Sequence, residues 1–156
     1  MNRQVMLCWA LLTLAGCGAN STDTEVEGTS DSQSMSSEDY LDTLLGAMQE
    51  VSQGMENIQS AARSKDAEGV TSAAAQLEET QTRVSKLPDA GVDAELLEVK
   101  PLMVAQIDSL RKNASDLAAA IRSGDDEGQR EFRSRSLKNL DEHDAIIAKL
   151  HFYTKE

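Results

Sequence analysis

The sequence predicts an all-α protein, with an antiparallel up-down-up-down four-helix bundle over residues 37–156 that follows a signal peptide and a disordered tether. Apolar residues recur at steps of three and four in four separate stretches, as in amphipathic helices. No stretch alternates between apolar and polar residues, so no sheet is expected. Turn-forming residues leave short connections within the first and last pairs of helices, which is typical of antiparallel bundles.

Residues 1–16 have the features of a removable signal peptide. A short polar start that contains Arg3 precedes an apolar run from Val5 to Leu14. About ten apolar residues are too few for a permanent membrane span, which needs about 20. We therefore expect this segment to be cleaved from the mature chain.

The signal peptide ends in Leu14-Ala15-Gly16-Cys17, which resembles the lipobox of bacterial lipoproteins. In that family the cysteine thiol receives a diacylglycerol and a peptidase cuts before the cysteine. The resemblance implies that Cys17 is the lipidation site, is the first mature residue and anchors the protein to a lipid bilayer. An aspartate after the cysteine commonly retains such proteins at the inner membrane, so Gly18 favours the outer membrane facing the periplasm. An ordinary signal peptide with a chance cysteine is the alternative.

Residues 17–36 are predicted to form the lipidated cysteine and an acidic tether. The stretch after Cys17 is rich in Gly, Ser and Thr, contains four acidic residues and lacks Lys and Arg. Such a composition buries too little apolar surface to offset the entropy lost on ordering, so disorder is expected. The other cysteine, Cys8, lies in the signal peptide, so the mature chain can form no internal disulfide.

The first two predicted helices carry apolar stripes. Ser37 is the expected N-cap of the first helix. Its stripe consists of Leu41, Leu44, Met48, Val51, Met55, Ile58 and Ala62. The second stripe consists of Val70, Ala74, Leu77, Gln81, Val84 and Leu87. Pro88 ends the second helix.

The last two predicted helices carry similar stripes. The third stripe consists of Leu96, Met103, Ile107, Leu110, Ala114, Leu117 and Ile121. Pro101 either lies in the first turn of the third helix or separates a short helical piece from it, and Gly124 ends the helix. The fourth stripe consists of Phe132, Ser136, Leu140, His143, Ile147 and Leu150.

Two of the predicted turns repeat nearly the same heptapeptide. RSKDAEG at 63–69 reappears as RSGDDEG at 122–128, with five of seven positions identical. In each copy a serine or aspartate can cap the helix that follows. An old duplication of a helical hairpin and convergence of capping turns both explain the repeat.

Three aromatic residues are expected to meet at one end of the bundle. Tyr40 opens the first predicted helix, and Phe152 and Tyr153 close the fourth. These two helix ends are neighbours in an up-down-up-down bundle.

Composition and motifs argue against nucleic-acid binding and against catalysis. The net charge of −12 disfavours contact with phosphates, so no nucleic-acid partner is expected. Neither His143 nor His151 has a carboxylate at the Glu-x-x-His spacing of a helical metal site. The sequence also lacks a recognisable nucleophile motif and a glycine-rich phosphate loop. We therefore expect that the protein is not an enzyme.

Met48 and His143 lie on the first and fourth stripes, at nearly the same height in an antiparallel bundle. Here the domain resembles the periplasmic four-helix cytochromes of the b-type and c′ kind, which share its length and Ala-rich helices. The resemblance implies, as an alternative, a non-covalent haem b ligated by Met48 and His143, with Met55 and His151 as substitute ligands. The fourth helix lacks a Cys-x-x-Cys-His motif, so covalent haem is excluded. If the protein binds no haem, Met48 is an ordinary residue of the apolar core and His143 is a hydrogen-bonded polar residue within it.

The sequence therefore predicts a lipid-anchored envelope protein that displays an acidic helical domain for an interaction or structural role and needs no cofactor. A haem-binding module for electron transfer or sensing is the alternative. The identity of a protein partner does not follow from the sequence.

Overall fold

Four long helices and one short helix make up most of residues 34–154, the part of the chain that the computed structural model describes. They are α1 (Ser37–Ser64), α2 (Ala67–Ser85), α3 (Ala94–Leu97), α4 (Val99–Ser123) and α5 (Asp126–Tyr153). These described residues contain no strand, and the predicted all-α class is confirmed.

The N-cap of α1 is Ser36 and not the predicted Ser37. Ser36 Oγ accepts a hydrogen bond from the backbone N–H of Asp39 at 3.1 Å. Ser37 Oγ instead accepts from the backbone N–H of Asp93 at 3.0 Å. Both neighbouring serines can cap, and this second bond selects between them, because it links the start of α1 to the residue before α3.

The last residues assigned to the tether, 34–36, lie against the folded part of the chain. The backbone N–H of Met35 donates to the carbonyl of Ala90 at 3.1 Å, and the Met35 side chain packs against the core. Gly91 has a φ of +88°, and a Cβ there would lie 2.9 Å from the Met35 carbonyl oxygen. The loop before α3 therefore holds the chain as it enters α1.

The two copies of the repeated heptapeptide form the same turn. Lys65 and Gly124 both adopt the left-handed conformation, with φ of 55° and 70°. Asp66 and Asp125 follow as N-caps, and each carboxylate accepts hydrogen bonds from two backbone N–H groups of the next helix. The predicted capping of α2 and α5 by these turns is confirmed.

The region around Pro101 combines the two arrangements that the sequence left open. Glu98 separates the short helix α3 from α4. Pro101 is the third residue of α4, where a backbone N–H would have no partner inside the helix. Gly124 ends α4, as predicted.

The core lies where the helices face one another, with the most extensive contact between α2 and α4, followed by α4 with α5 and α1 with α2. Helices α1 and α2 approach closely at Gly54, where a Cβ would lie 2.6 Å from Leu77 Cδ2. The largest fully buried side chains are Tyr40, Leu44, Leu77, Met103, Ile107, Leu117 and Leu150.

The buried face of α5 agrees with the predicted stripe at His143 and Leu150 and differs from it by one residue at two other positions. Leu140 is 43% exposed and Ile147 is only half-buried, whereas Asn139 and Ile146 are buried beside His143. Apolar residues lie on both sides of the buried line, so the spacing of three and four selected the wrong pair. One of these differences places a polar residue, Asn139, in the interior.

The predicted meeting of Tyr40, Phe152 and Tyr153 is not found, because within the described residues the rings of Phe152 and Tyr153 pair with each other and not with Tyr40. Tyr40 is fully buried, but Phe152 is 63% exposed and packs edge-on against Tyr153 with ring centroids 5.7 Å apart. Phe152 lies in the last turn of α5, where its ring points to solvent, as is common near chain ends.

Candidate functional site

His143 connects α5 to α1 in the interior. Its side chain is 4% exposed, and Nε2 lies 2.8 Å from Ser52 Oγ. Ser52 follows Met48 by one helical turn, and its Oγ is also 3.0 Å from the Met48 carbonyl oxygen. Burial lowers the pKa of His143 below its ordinary value, and the nearby Asp144 carboxylate only partly opposes this effect. The imidazole is therefore neutral at physiological pH.

The hydroxyl proton of Ser52 determines the tautomer of His143. If Ser52 donates to the Met48 carbonyl, the imidazole donates from Nε2 and Nδ1 is left as an acceptor. If Ser52 donates to Nε2, Nδ1 carries the proton. In both cases Nδ1 is buried and has no hydrogen-bond partner among the described residues.

Two buried amide side chains, Gln106 of α4 and Asn139 of α5, lie where these two helices meet. Gln106 is 3% exposed and donates from Nε2 to the Asn139 carbonyl at 3.3 Å. Asn139 is 2% exposed, and its Oδ1 accepts from Ser109 Oγ at 3.2 Å. Gln106 Oε1 and Asn139 Nδ2 have no partner among the described residues. Three of the residues with such atoms, Gln106, Asn139 and His143, form what we call the buried polar cluster, together with Ser52 and Ser109.

Only one member of this cluster was predicted as a site residue. His143 stood out because a histidine falls on an apolar stripe, whereas the sequence pattern assigned no role to Gln106 or Asn139. A weak signal was present, because Asn139 precedes His143 by one helical turn and so shares its face. The cluster is unusual because three of its five residues have a buried polar atom without a partner among the described residues, whereas buried polar groups are normally fully hydrogen-bonded.

The structure buries both residues of the haem alternative. Met48 is 2% exposed and belongs to the apolar core, while Ser52 holds Nε2 of His143. Because this nitrogen is hydrogen-bonded to Ser52, the arrangement of Met48 and His143 does not fit a haem bound between them. Ligation of iron by Nε2 would require Ser52 to be displaced and α1 to be separated from α5. The haem alternative stays a prediction.

The predicted lipidation site, Cys17, lies outside the described residues, as do the signal peptide and most of the tether. Within residues 34–154, no helix is both long and apolar enough to cross a bilayer. The same residues hold no group of three or more His, Cys, Asp or Glu side chains that could bind a metal ion.

No protein-family model matches the chain. No curated protein and no solved structure matches it either.

Proposed function

We propose that the protein is a bacterial lipoprotein that acylated Cys17 anchors in the cell envelope, with its helical part displayed on an acidic tether. The observation that carries this proposal is the sequence Leu14-Ala15-Gly16-Cys17 at the end of a short apolar run. Two or three acyl chains together give stable membrane attachment, whereas a single chain binds only marginally. The outer membrane, facing the periplasm, is the expected location because Gly18 follows the cysteine.

The displayed part is proposed to be an antiparallel up-down-up-down bundle. Two short turns, at Lys65 and Gly124, reverse the chain between long helices that contact each other. The hydrogen bond between Ser52 and His143 joins the first and last long helices, as a closed bundle requires.

The role of this bundle is proposed to be interaction or structural support in the envelope. The buried polar cluster contains amides, hydroxyls and one neutral imidazole, but within residues 34–154 His143 has a serine neighbour and no carboxylate within hydrogen-bond distance to orient it. A net charge of −12 favours basic or neutral protein partners over nucleic acid.

Metabolic labelling with a fatty-acid analogue in a bacterial host tests the anchor. The wild-type chain should be labelled and should sediment with membranes, and Cys17→Ser should abolish the label and leave the precursor uncleaved. Cys8→Ser is the matched control, because Cys8 lies in the segment to be removed, and it should retain the label. Absence of label from the wild-type chain would reject the proposal. Separation of inner from outer membranes then tests the location.

Haem binding ranks second because Nε2 of His143 is already hydrogen-bonded to Ser52. An absorption spectrum of the protein purified from its native host separates the two functions. A Soret band that weakens in His143→Ala would support the haem-binding function, whereas a colourless protein that does not respond to added haemin would reject it.

A further inference from the structure

A cleft lies between α1 and α5, where α1 ends and α5 begins. Its floor is apolar and includes Leu117 of α4 and Phe132 of α5, and Ala62 lies on its α1 wall. Farther from these helix ends, Ser52 is hydrogen-bonded to His143, so α1 and α5 are held together there and the cleft ends before that level. We call it the α1–α5 cleft, and its volume is about 230 Å³.

Each of the two helices contributes a glutamine and an arginine to the α1–α5 cleft. Gln59 and Arg63 lie four residues apart on α1, and Gln129 and Arg133 lie four residues apart on α5. Residues four apart share one face of a helix, so each pair presents an amide and a guanidinium together. None of the described residues that line the cleft is acidic. The cleft therefore combines an apolar floor with hydrogen-bond donors and positive charge.

Arg63 and Arg133 differ from the other arginines within residues 34–154, because neither forms an ion pair or a hydrogen bond with another described residue. The arginines that do form one are Arg83, Arg111, Arg122, Arg130 and Arg135. The chain has a net charge of −12, so carboxylates are abundant elsewhere on it. Two guanidinium groups without a counter-charge at one cleft therefore favour an anion as its occupant.

We propose that the α1–α5 cleft binds a small organic carboxylate, with its charged group at Arg63 and Arg133 and its apolar body against Leu117 and Phe132. A guanidinium group binds a planar carboxylate through two parallel N–H···O hydrogen bonds. A cavity of about 150 Å³ is enough for benzene, so the cleft has room for one ring or a chain of similar size.

The length of the α1–α5 cleft favours a small molecule over a protein segment. Its lining extends over residues 59–63 of α1 and 129–136 of α5, which is roughly 10 Å along a helix. An extended chain covers that distance with about three residues. A peptide would therefore place little more than one side chain in the cleft.

The proposal does not depend on the lipid anchor, and three probes test its two parts. Phenylacetate has both a ring and a charge, phenylacetamide has nearly the same shape without the charge, and acetate has the charge without the ring. Titration of the isotope-labelled full-length chain, in a non-ionic detergent at low ionic strength, follows the Nε–H signals of Arg63 and Arg133 by NMR.

Phenylacetate should bind saturably and about tenfold more tightly than phenylacetamide, because charge-assisted hydrogen bonds distinguish the two. Acetate should bind at least about tenfold more weakly than phenylacetate, because it leaves the apolar floor uncovered.

Three variants locate the binding at exposed positions, and circular dichroism checks that each one folds. Arg63→Gln and Arg133→Gln each remove one charge from the cleft and should weaken phenylacetate binding about fivefold, with less than about a twofold effect on phenylacetamide. Arg122→Gln is the matched control, because its guanidinium donates to Thr71 of α2 at 3.1 Å and does not line the cleft. It should leave both affinities unchanged.

Any of four results would overturn the proposal. Phenylacetate could fail to bind saturably, or it could bind no more tightly than phenylacetamide or than acetate. The fourth is an Arg122→Gln variant that weakens phenylacetate binding as much as Arg63→Gln does, as expected if only the overall charge of the protein attracts the anion.

Discussion

Ser52 Oγ lies 2.8 Å from His143 Nε2 and connects α1 to α5, two helices that share much less contact than α4 and α5 do. Ser52 also approaches the Met48 carbonyl, so one hydroxyl serves both its own helix and the neighbouring one. The pair therefore fixes the position of α5 against α1 at a level where His143 is buried and Ser52 is half-buried.

The stability of the protein should depend on the protonation of His143. Burial lowers the pKa of His143 in the folded state below the ordinary value of 6.5, whereas the unfolded chain keeps that value. As pH falls below about 6.5, the unfolded chain takes up the proton first, so the free energy of unfolding decreases. Above this pH the contribution of the neutral imidazole is complete.

Urea unfolding at pH 7.5 and pH 5 measures this effect. His143→Gln cannot take up the proton, so it should lose less stability between the two pH values than the wild type does. His151→Gln changes the exposed histidine of the same helix and should behave as the wild type. If His143→Gln and the wild type lose the same amount, His143 does not supply this pH dependence.

Tyr40→Phe should leave the protein as stable as the wild type or stabilise it by up to about 1 kcal/mol. The Tyr40 hydroxyl is buried without a partner among the described residues, so its removal avoids the loss of hydration while the ring stays in place. Tyr40→Ala should instead cost about 3–5 kcal/mol, because it leaves a cavity in the core. Thermal unfolding compares the two, and a large loss in Tyr40→Phe would reveal a hydrogen bond that this structure lacks.

The ionisation of Tyr40 offers a second measurement at the same position. Burial, with a smaller contribution from Asp89, raises the pKa of Tyr40 to about 12. The unfolded chain releases this proton near pH 10, so the wild type should lose stability as pH rises from about 10 to 12. Tyr40→Phe should reduce this loss, and an ultraviolet titration in which Tyr40 ionises near pH 10 would contradict the burial of its hydroxyl.

The two equivalent turns predict substitutions of opposite effect. Lys65 has a φ of 55°, a conformation that costs a residue with a side chain about 1–2 kcal/mol, so Lys65→Gly should raise the free energy of unfolding by about 0.5–1 kcal/mol. Gly124→Ala should lower it by about 1 kcal/mol, since a Cβ there meets no atom within 4 Å and only the backbone is strained. Chemical denaturation measures both. Changes of the same sign would show that the turns are not equivalent in solution.

The starts of α2 and α5 and the end of α4 followed from local chemistry that the sequence displays, whereas α2 ends at Ser85, before the predicted end at Pro88. Asp66 and Asp125 cap the N-termini of α2 and α5, and Gly124 ends α4. The spacing of apolar residues predicts the all-α class without reference to distant contacts. The choice of Ser36 over Ser37 could not be predicted, because it depends on a hydrogen bond to Asp93, far away in the chain. Local rules identify a cap to within one residue, and tertiary contact selects the residue.

The buried polar cluster was harder to predict for a different reason. Hydrophobic periodicity identifies a helix face from its apolar members, and α5 has apolar residues on both sides of its buried line. The burial of Asn139, and the exposure of Leu140 beside it, is set by the helices that pack against α5. The role of Gln106 could not be predicted for the same reason, because its hydrogen bond to the Asn139 carbonyl depends on how α5 packs against α4.

The most direct test of the proposed lipid anchor is mass spectrometry of the N-terminal peptide from chain purified out of bacterial membranes. We expect the mature chain to begin at Cys17, with a diacylglyceryl group on its sulfur and, where the host adds it, an acyl group on its amine. A mature chain that begins at another residue, or one whose Cys17 carries a free thiol, would contradict the proposal.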